Sequence, residues 1–167
     1  MPRFQPALIA AFPSVYQLLP RPRHRIFTDA SGSAVEVDVY DVDFWEQNNL
    51  GIFSANQKKY LRYLLPDAES PRAAARNYVR AALIRARRVH QALDIRPARG
   101  CPAEIYLFTA NTVPTRNRVE LTGVPGSYKA VFEDKKLYAP GDGTVTTANA
   151  LADERQGNAW KPWVRTN

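Results

Sequence analysis

Cysteine occurs once in the 167 residues, at Cys101, so the chain offers no internal disulfide and carries no mark of an oxidising compartment. No histidine follows it, and a lone cysteine in Arg-Gly-Cys-Pro reads as small buried filler rather than a nucleophile. Long apolar runs are missing too. The longest, Ala7 to Phe12, is far short of the ~20 residues a transmembrane helix needs, so no membrane-spanning segment is expected. Residues 1–11 carry one early charge, Arg3, and no A-x-A-like cleavage site follows them. They make a poor signal peptide, which leans the expectation toward the cytoplasm without fixing a compartment. Histidine is limited to His24 and His90. With a single cysteine this gives no zinc-ligand spacing, and neither a metal nor an organic cofactor is implied. Internal repeats and low-complexity tracts are absent.

What the chain does have is a globular composition, 45% hydrophobic and 23% charged, in a length that suits one ordinary domain. Its formal charge of +7 favours acidic partners: nucleic acid, anionic lipid headgroups or an acidic protein. The excess is local. Residues 1–28 hold Arg3, Arg21, Arg23 and Arg25 with no acid, and residues 72–88 hold six arginines with no acid.

Ala7 to Leu19 reads as a short helical or mixed segment, broken at Pro13 and stopped by Pro20 and Pro22. Arg25 to Thr28 and Ala34 to Tyr40 read as two strands joined by the turn Asp29-Ala-Ser-Gly-Ser33. Val35, Val37 and Val39 alternate there with polar neighbours. Phe44 to Leu65 is expected to be helical after about Ser54. Ser70-Pro71 is a helix start, with serine at the N-cap and proline at the first helical position. The stripe Ala75, Tyr78, Ala82, Val89, Leu93 then predicts the buried face, and Arg72, Arg76, Arg80 and Arg87 fall opposite.

Glu104 to Thr109 reads as a strand buried on both faces. Arg118–Leu121 and Ser127–Phe132 read as a second hairpin across Gly123-Val-Pro-Gly126. Pro140-Gly-Asp-Gly-Thr-Val145 leads into a helix over Thr147 to Glu154, and Trp160 to Val164 could open a last strand. Helix, buried strand, loop and helix in succession is the rhythm of an α/β layer.

The segment with chemistry in it is Gly141-Asp142-Gly143-Thr144-Val145. An acid between two glycines, just past a strand and just before a helix, can sit on a tight turn with its carboxylate facing a cleft. A catalytic-triad acid needs that arrangement, because it must bond one imidazole nitrogen and fix the tautomer while the other nitrogen takes a proton. Taken alone, Gly-Asp-Gly is also ordinary turn chemistry. A calcium loop does not fit, since Thr144 and Thr146 stand where alternating acids would be required.

The flanks extend the pattern. Phe12-Pro-Ser-Val-Tyr-Gln-Leu-Leu-Pro20, then Tyr40 and Phe44-Trp45, then a strand ending in a Val113-Pro-Thr115 loop, then Gly-Asp-Gly-Thr-Val and Ala148-Asn-Ala-Leu151, form an ordered series. The series resembles the lecithin:cholesterol acyltransferase family and its related bacterial esterases. That resemblance implies an incomplete α/β-hydrolase fold. Residues 1–20 would lead into the core, residues 21–99 would form a cap or lid with a hairpin and helices, and residues 100–167 would be the carboxy-terminal part of the core. It implies acyl transfer from a lipid or other ester through a serine, with Asp142 as triad acid, and no cofactor. Phe44, Trp45, Leu50, Ile52 and Phe53 would be candidates to face lipid, or simply core.

The chain departs from the family where the chemistry is richest. The superfamily order is serine, acid, histidine. No Gly-x-Ser-x-Gly occurs, since Ser31, Ser33 and Ser127 lack the flanking glycines, and no histidine follows Asp142. The resemblance places the serine before Met1 and the histidine just after Asn167, and leaves this chain inactive alone. His90 is expected to be a surface or helix-end residue interacting with the helix dipole. His24, between Arg23 and Arg25, has no nucleophile beside it.

Two other readings stand beside this one. Arg72, Arg76, Arg80 and Arg87 could form a basic module for anionic lipid or nucleic acid, though no aromatic residues interleave with them as a base-stacking platform requires. The chain could also be a non-catalytic, hydrolase-like scaffold. A fragment lacking its early strands would leave a sheet edge uncovered, so a well-behaved monomer would speak for the scaffold.

Overall fold

The computed structural model describes residues 5–95, 108–132 and 134–151, in which helices and small sheets are mixed as in an α/β protein. The longest element is α4, Pro71–Leu93, and it begins where its sequence says it should. Ser70 caps it, its hydroxyl accepting from Ala73 N, and Pro71 occupies the first helical position. The helix has no interior glycine or proline, and alanine and arginine, both strong helix formers, supply 13 of its 23 residues.

The buried face of α4 matches the expected one at Ala75 and Ala82 and departs from it at Tyr78 and Leu93. Ala75, Val79, Ala82, Leu83, Ala86 and His90 are buried, whereas Tyr78 and Leu93 lie 39% and 58% exposed. The true stripe keeps the helical period but is rotated, because the elements packed on it come close enough to prefer alanines over large side chains. Those elements are the 3₁₀ segment Pro13–Leu18, α2 (Val42–Gln47) and α3 (Lys58–Leu64), with α1 (Pro6–Ala10) and the short turns at Gly51–Phe53 and Ala55–Gln57 packed against them in turn. Tyr78 instead reaches sideways, its hydroxyl donating to Ala11 O at 2.7 Å.

The amino-terminal segment behaves as expected, helical on both sides of a break at Pro13. It is pinned to the core by Gln57, which is 1% exposed and whose Oε1 accepts from Ala7 N at 3.0 Å. Between Phe44 and Leu65 the chain is helical after Ser54, as anticipated. It is also helical earlier: Asp41 caps α2, and the left-handed residues Asn49 and Gly51 then break it.

The hairpin expected near residue 30 forms only at its tip. Phe27–Thr28 is a strand, β1, and the Asp29–Ser33 turn is present, but pairing ends at a Thr28–Ala34 bridge. Val35 to Asp38 join no ladder among the described residues, and the chain then turns at Asp38–Asp41. On its other side β1 pairs in parallel with β3 (Val119–Thr122), which forms an antiparallel hairpin with β4 (Lys129–Val131) as expected.

A second, two-stranded sheet joins β2 (Val113–Arg116) to β5 (Tyr138–Gly141), antiparallel. Val113-Pro-Thr115 was expected to be loop and is strand. Pro114 sits on an edge, where a missing N–H costs nothing. Of the strand expected at Glu104–Thr109, residues 104–107 lie outside the described residues, and Phe108 and Thr109 are exposed coil. Cys101 and the possible strand at Trp160–Val164 also lie outside, and the helix expected from Thr147 is described as α5 to Leu151.

Candidate functional site

The Gly-Asp-Gly turn closes β5 onto α5. Asp142 N donates to Val145 O at 3.2 Å, and Asp142 Oδ1 accepts from both Thr144 N and Val145 N at 2.7 Å. Thr115 braces the turn from the neighbouring strand. It is 1% exposed, and its hydroxyl accepts from Gly143 N at 2.7 Å while donating to Val113 O at 3.0 Å. Both glycines are required. Gly143 has φ +95°, and a Cβ at Gly141 would collide with Thr115 Oγ1 and Val145 O. Thr146 is buried behind the turn, and its hydroxyl accepts from Asn149 N at 3.3 Å, capping α5.

Asp142 itself is exposed. The backbone N–H of Val145, then that of Thr144, hold its carboxyl below the usual aspartate range, so it is a carboxylate at neutral pH. Both bonds fall on Oδ1. Among the described residues nothing bonds Oδ2, which leaves one oxygen of a rigidly held carboxylate open to an incoming N–H.

No described histidine supplies that N–H. His90, expected at the surface, is buried at 5% exposure and fully engaged. Its Nε2 donates to Gln17 O at 2.7 Å, and Nδ1 lies 2.6 Å from Tyr40 Oη. Helix α4 turns this position inward, and an imidazole with both nitrogens engaged ties the helix to two segments more than 45 residues away in sequence. Ser31 and Ser33 are likewise structural. Ser31 Oγ donates to Asp29 Oδ1 at 2.5 Å inside the β1 turn, and Ser33 N donates to the same oxygen at 3.0 Å.

The arginines divide. Arg72 and Arg76 both bond Glu46, at 2.8 and 2.6 Å, and Arg76 also pairs with Asp43, so α2 clamps the first turns of α4. Arg87 pairs with Asp38 and lies over the Tyr40 ring, 4.9 Å from its centroid. Arg80 has only a 3.5 Å contact to the Asn77 side chain. Three of the four positions expected to offer a basic face are therefore neutralised by acids that the helix itself lacks. The aromatic group expected to face lipid belongs mostly to the core. Ile52 and Phe53 are buried, Phe44 packs edge-on against Phe27 at 5.7 Å, and the Trp45 indole donates to Val39 O at 2.8 Å.

A groove of about 790 Å³ lies elsewhere, between the carboxy-terminal half of α4 and the extended segment that follows β1. Arg87, His90 and Asp94 line one side, and Val35, Val37 and Val39 the other. Asp142 is not part of it. Burial is the main influence raising the Tyr40 phenol above its ordinary range, opposed by Arg21 and Arg87, so its hydroxyl stays protonated against His90. Among the described residues no group of three or more histidine, cysteine, aspartate or glutamate side chains could hold a metal ion, and no helix is long and apolar enough to cross a membrane.

No protein-family model, curated protein or solved structure matches this chain.

Proposed function

We propose that these residues are the carboxy-terminal portion of a serine-type lipid esterase or O-acyltransferase resembling the lecithin:cholesterol acyltransferases, with an incomplete α/β-hydrolase fold and Asp142 as triad acid. One observation carries the reading. Asp142 is exposed on a braced turn with Oδ1 fixed by two backbone N–H groups and Oδ2 open. In that role Oδ2 accepts the N–H of an imidazole and holds it in the tautomer whose other nitrogen faces a serine. The serine oxygen bonds to the ester carbonyl carbon as its proton passes to the imidazole. Asp142 steadies the imidazolium, which returns the proton to the departing alcohol as the ester C–O bond breaks. The acyl group then passes to water or to an acceptor alcohol by the same steps reversed.

The serine and histidine come from beyond these 167 residues in this reading, because His90 is committed elsewhere and the sequence holds neither a Gly-x-Ser-x-Gly nor a histidine after Asp142. The test is hydrolysis of a p-nitrophenyl ester by the product of the longer reading frame. Asp142→Asn keeps the turn, since an amide oxygen still accepts both N–H groups, yet should lower kcat by about 10⁴-fold as expected for a wrong tautomer. Turnover unchanged in that variant removes Asp142 from the chemistry. A non-catalytic scaffold is the second reading, favoured by the lack of any Gly-x-Ser-x-Gly and of any histidine after Asp142.

A further inference from the structure

Helix α1 is built inside out. Ala7 is wholly buried and Ala10 half-buried, whereas Leu8 and Ile9 lie 39% and 38% exposed. Phe12 sits on the turn that continues the helix, its N–H donating to Ile9 O at 3.1 Å, and is 63% exposed. At about 100° per residue, Leu8, Phe12 and Ile9 share one arc of the helix and the two alanines lie opposite. Tyr78 of α4 adjoins this arc, held there by its hydroxyl bond to Ala11 O, and is itself 39% exposed. The surroundings are free of acids. Neither Pro13–Leu18, Gly51–Phe53 nor α3, the elements packed on α1, contains an aspartate or glutamate, and neither does α4. They do supply cations: Lys58, Lys59 and Arg62 from α3, and from α4 Arg85, two turns beyond Tyr78 on the same face. Arg85 and Arg88 are exposed and make no ion pair among the described residues, unlike the arginines that clamp α2.

We infer that this face docks on an anionic lipid bilayer, with Leu8, Ile9 and Phe12 entering the boundary between headgroups and acyl chains and the neighbouring cations meeting lipid phosphates. Exposed large apolar side chains mark an interaction surface, and charge chooses the partner. A rim of cations without acids suits a negative surface. A second copy of this chain is a poor occupant, because face-to-face pairing sets the same cations against each other. None of the apolar residues named here lines the 790 Å³ groove, and an acyl layer needs no cleft to take them up. The surface differs from the arginine face expected from the sequence, most of which α2 and Asp38 neutralise. It does not involve the Asp142 turn and stands whether or not the acyl-transfer reading holds.

The experiment sediments the 167-residue chain with vesicles of phosphatidylcholine alone and of phosphatidylcholine mixed with phosphatidylglycerol. The expected result is saturable binding to the mixed vesicles and little to the neutral ones. Ile9→Gln with Phe12→Gln, which leaves the charge unchanged, should weaken that binding about tenfold. Phe12→Gln alone, at the most exposed of these positions, should weaken it severalfold with an unchanged thermal midpoint, and so should Arg85→Gln with Arg88→Gln. Equal binding of the wild type and the Phe12→Gln chain would reduce the effect to charge attraction and overturn the inference. So would the absence of binding to the mixed vesicles, or a wild-type dimer that Phe12→Gln dissociates, which would make a second copy the occupant. Loss of vesicle binding in a longer product of the same reading frame would assign the face to the rest of that polypeptide and overturn it as well.

Discussion

The two halves of the molecule are built to different standards. Residues 5–95 contain the whole of the main buried cluster, from Ala7 to Ala86, wrapped around one long capped helix. Residues 108–151 hold short strands, and their buried side chains are few: Leu121 and Leu137 with Thr115, Glu120 and Thr146. Yet the carboxylate with a chemical role to propose lies in the second half, and the first half supplies packing. Polar groups do in the strand region what apolar ones do in the helical region. Thr115 and Asp142 close the turn through hydrogen bonds, and Glu120, buried beside β1, is paired with Lys136 at 2.6 Å. Rigidity at the turn thus comes from a handful of directional bonds, each of which can be removed singly.

The largest expected effect tests whether the two halves unfold together. Leu83→Ala, at a wholly buried position, should cost about 2–5 kcal/mol in chemical denaturation and lower the protection of α4 amides against hydrogen exchange. Leu137→Ala should instead lower protection in β2, β3 and β5 and leave α4 nearly unchanged. Equal loss in both regions after Leu137→Ala would make them one cooperative unit and end the contrast.

Gly141→Ala comes next. The added methyl meets Thr115 Oγ1 and Val145 O, a backbone atom that cannot swing aside, so overpacking of about 1–3 kcal/mol is expected. Faster hydrogen exchange of the Gly143 amide in the variant would locate that strain at the turn. Thr115→Val should be milder. It leaves the part-buried Gly143 N–H without its acceptor, costing about 1–3 kcal/mol if water cannot enter and less if it can. Restoration of stability in Thr115→Ser would show that the hydroxyl, not the methyl, is the brace.

The smallest effect is electrostatic. Asp29, Asp134 and Asp142 all have carboxyls depressed below 3.8, chiefly by the Ser31 hydroxyl, the Lys136 N–H and the Val145 N–H respectively. A carboxylate depressed on folding adds stability above its unfolded pKa, and that increment is lost as pH falls through the folded value. The loss should therefore set in as pH falls toward the ordinary aspartate value and continue below it, and it should be small because Asp134 and Asp142 are exposed and Asp29 is only half-buried. Carboxyl carbon shifts followed by NMR should give midpoints under 3.8 for these three. A midpoint at or above 3.8 for Asp142 would mean that its two backbone bonds are not kept in solution.

Features written in consecutive residues were legible in the sequence. Ser70-Pro71 marks the start of α4, Gly123 and Gly126 bracket the β3–β4 turn, and Gly-Asp-Gly stands between a strand and a helix as its glycines require. Features that depend on a distant partner were not. The valine alternation at residues 35–39 reappears as alternating burial, but whether a ladder forms depends on a neighbour that alternation cannot reveal. His90 looks like a surface helix residue until Gln17 and Tyr40, each 50 or more positions away, are placed against it. An arginine-rich helix without acids looks like a binding face until α2 brings Asp43 and Glu46 across to it. In the candidate site Asp142 was readable, whereas Thr115 was visible only as part of a Pro-Thr motif. Its role as a brace arises from strand pairing across 28 residues.

The reading of Asp142 as an acid serving a serine and a histidine supplied from outside these residues is tested most directly by the nucleotide sequence on both sides of the reading frame. An in-frame Gly-x-Ser-x-Gly upstream and a histidine codon shortly after Asn167 is the predicted result. Start and stop signals that bound the 167 residues themselves would contradict it.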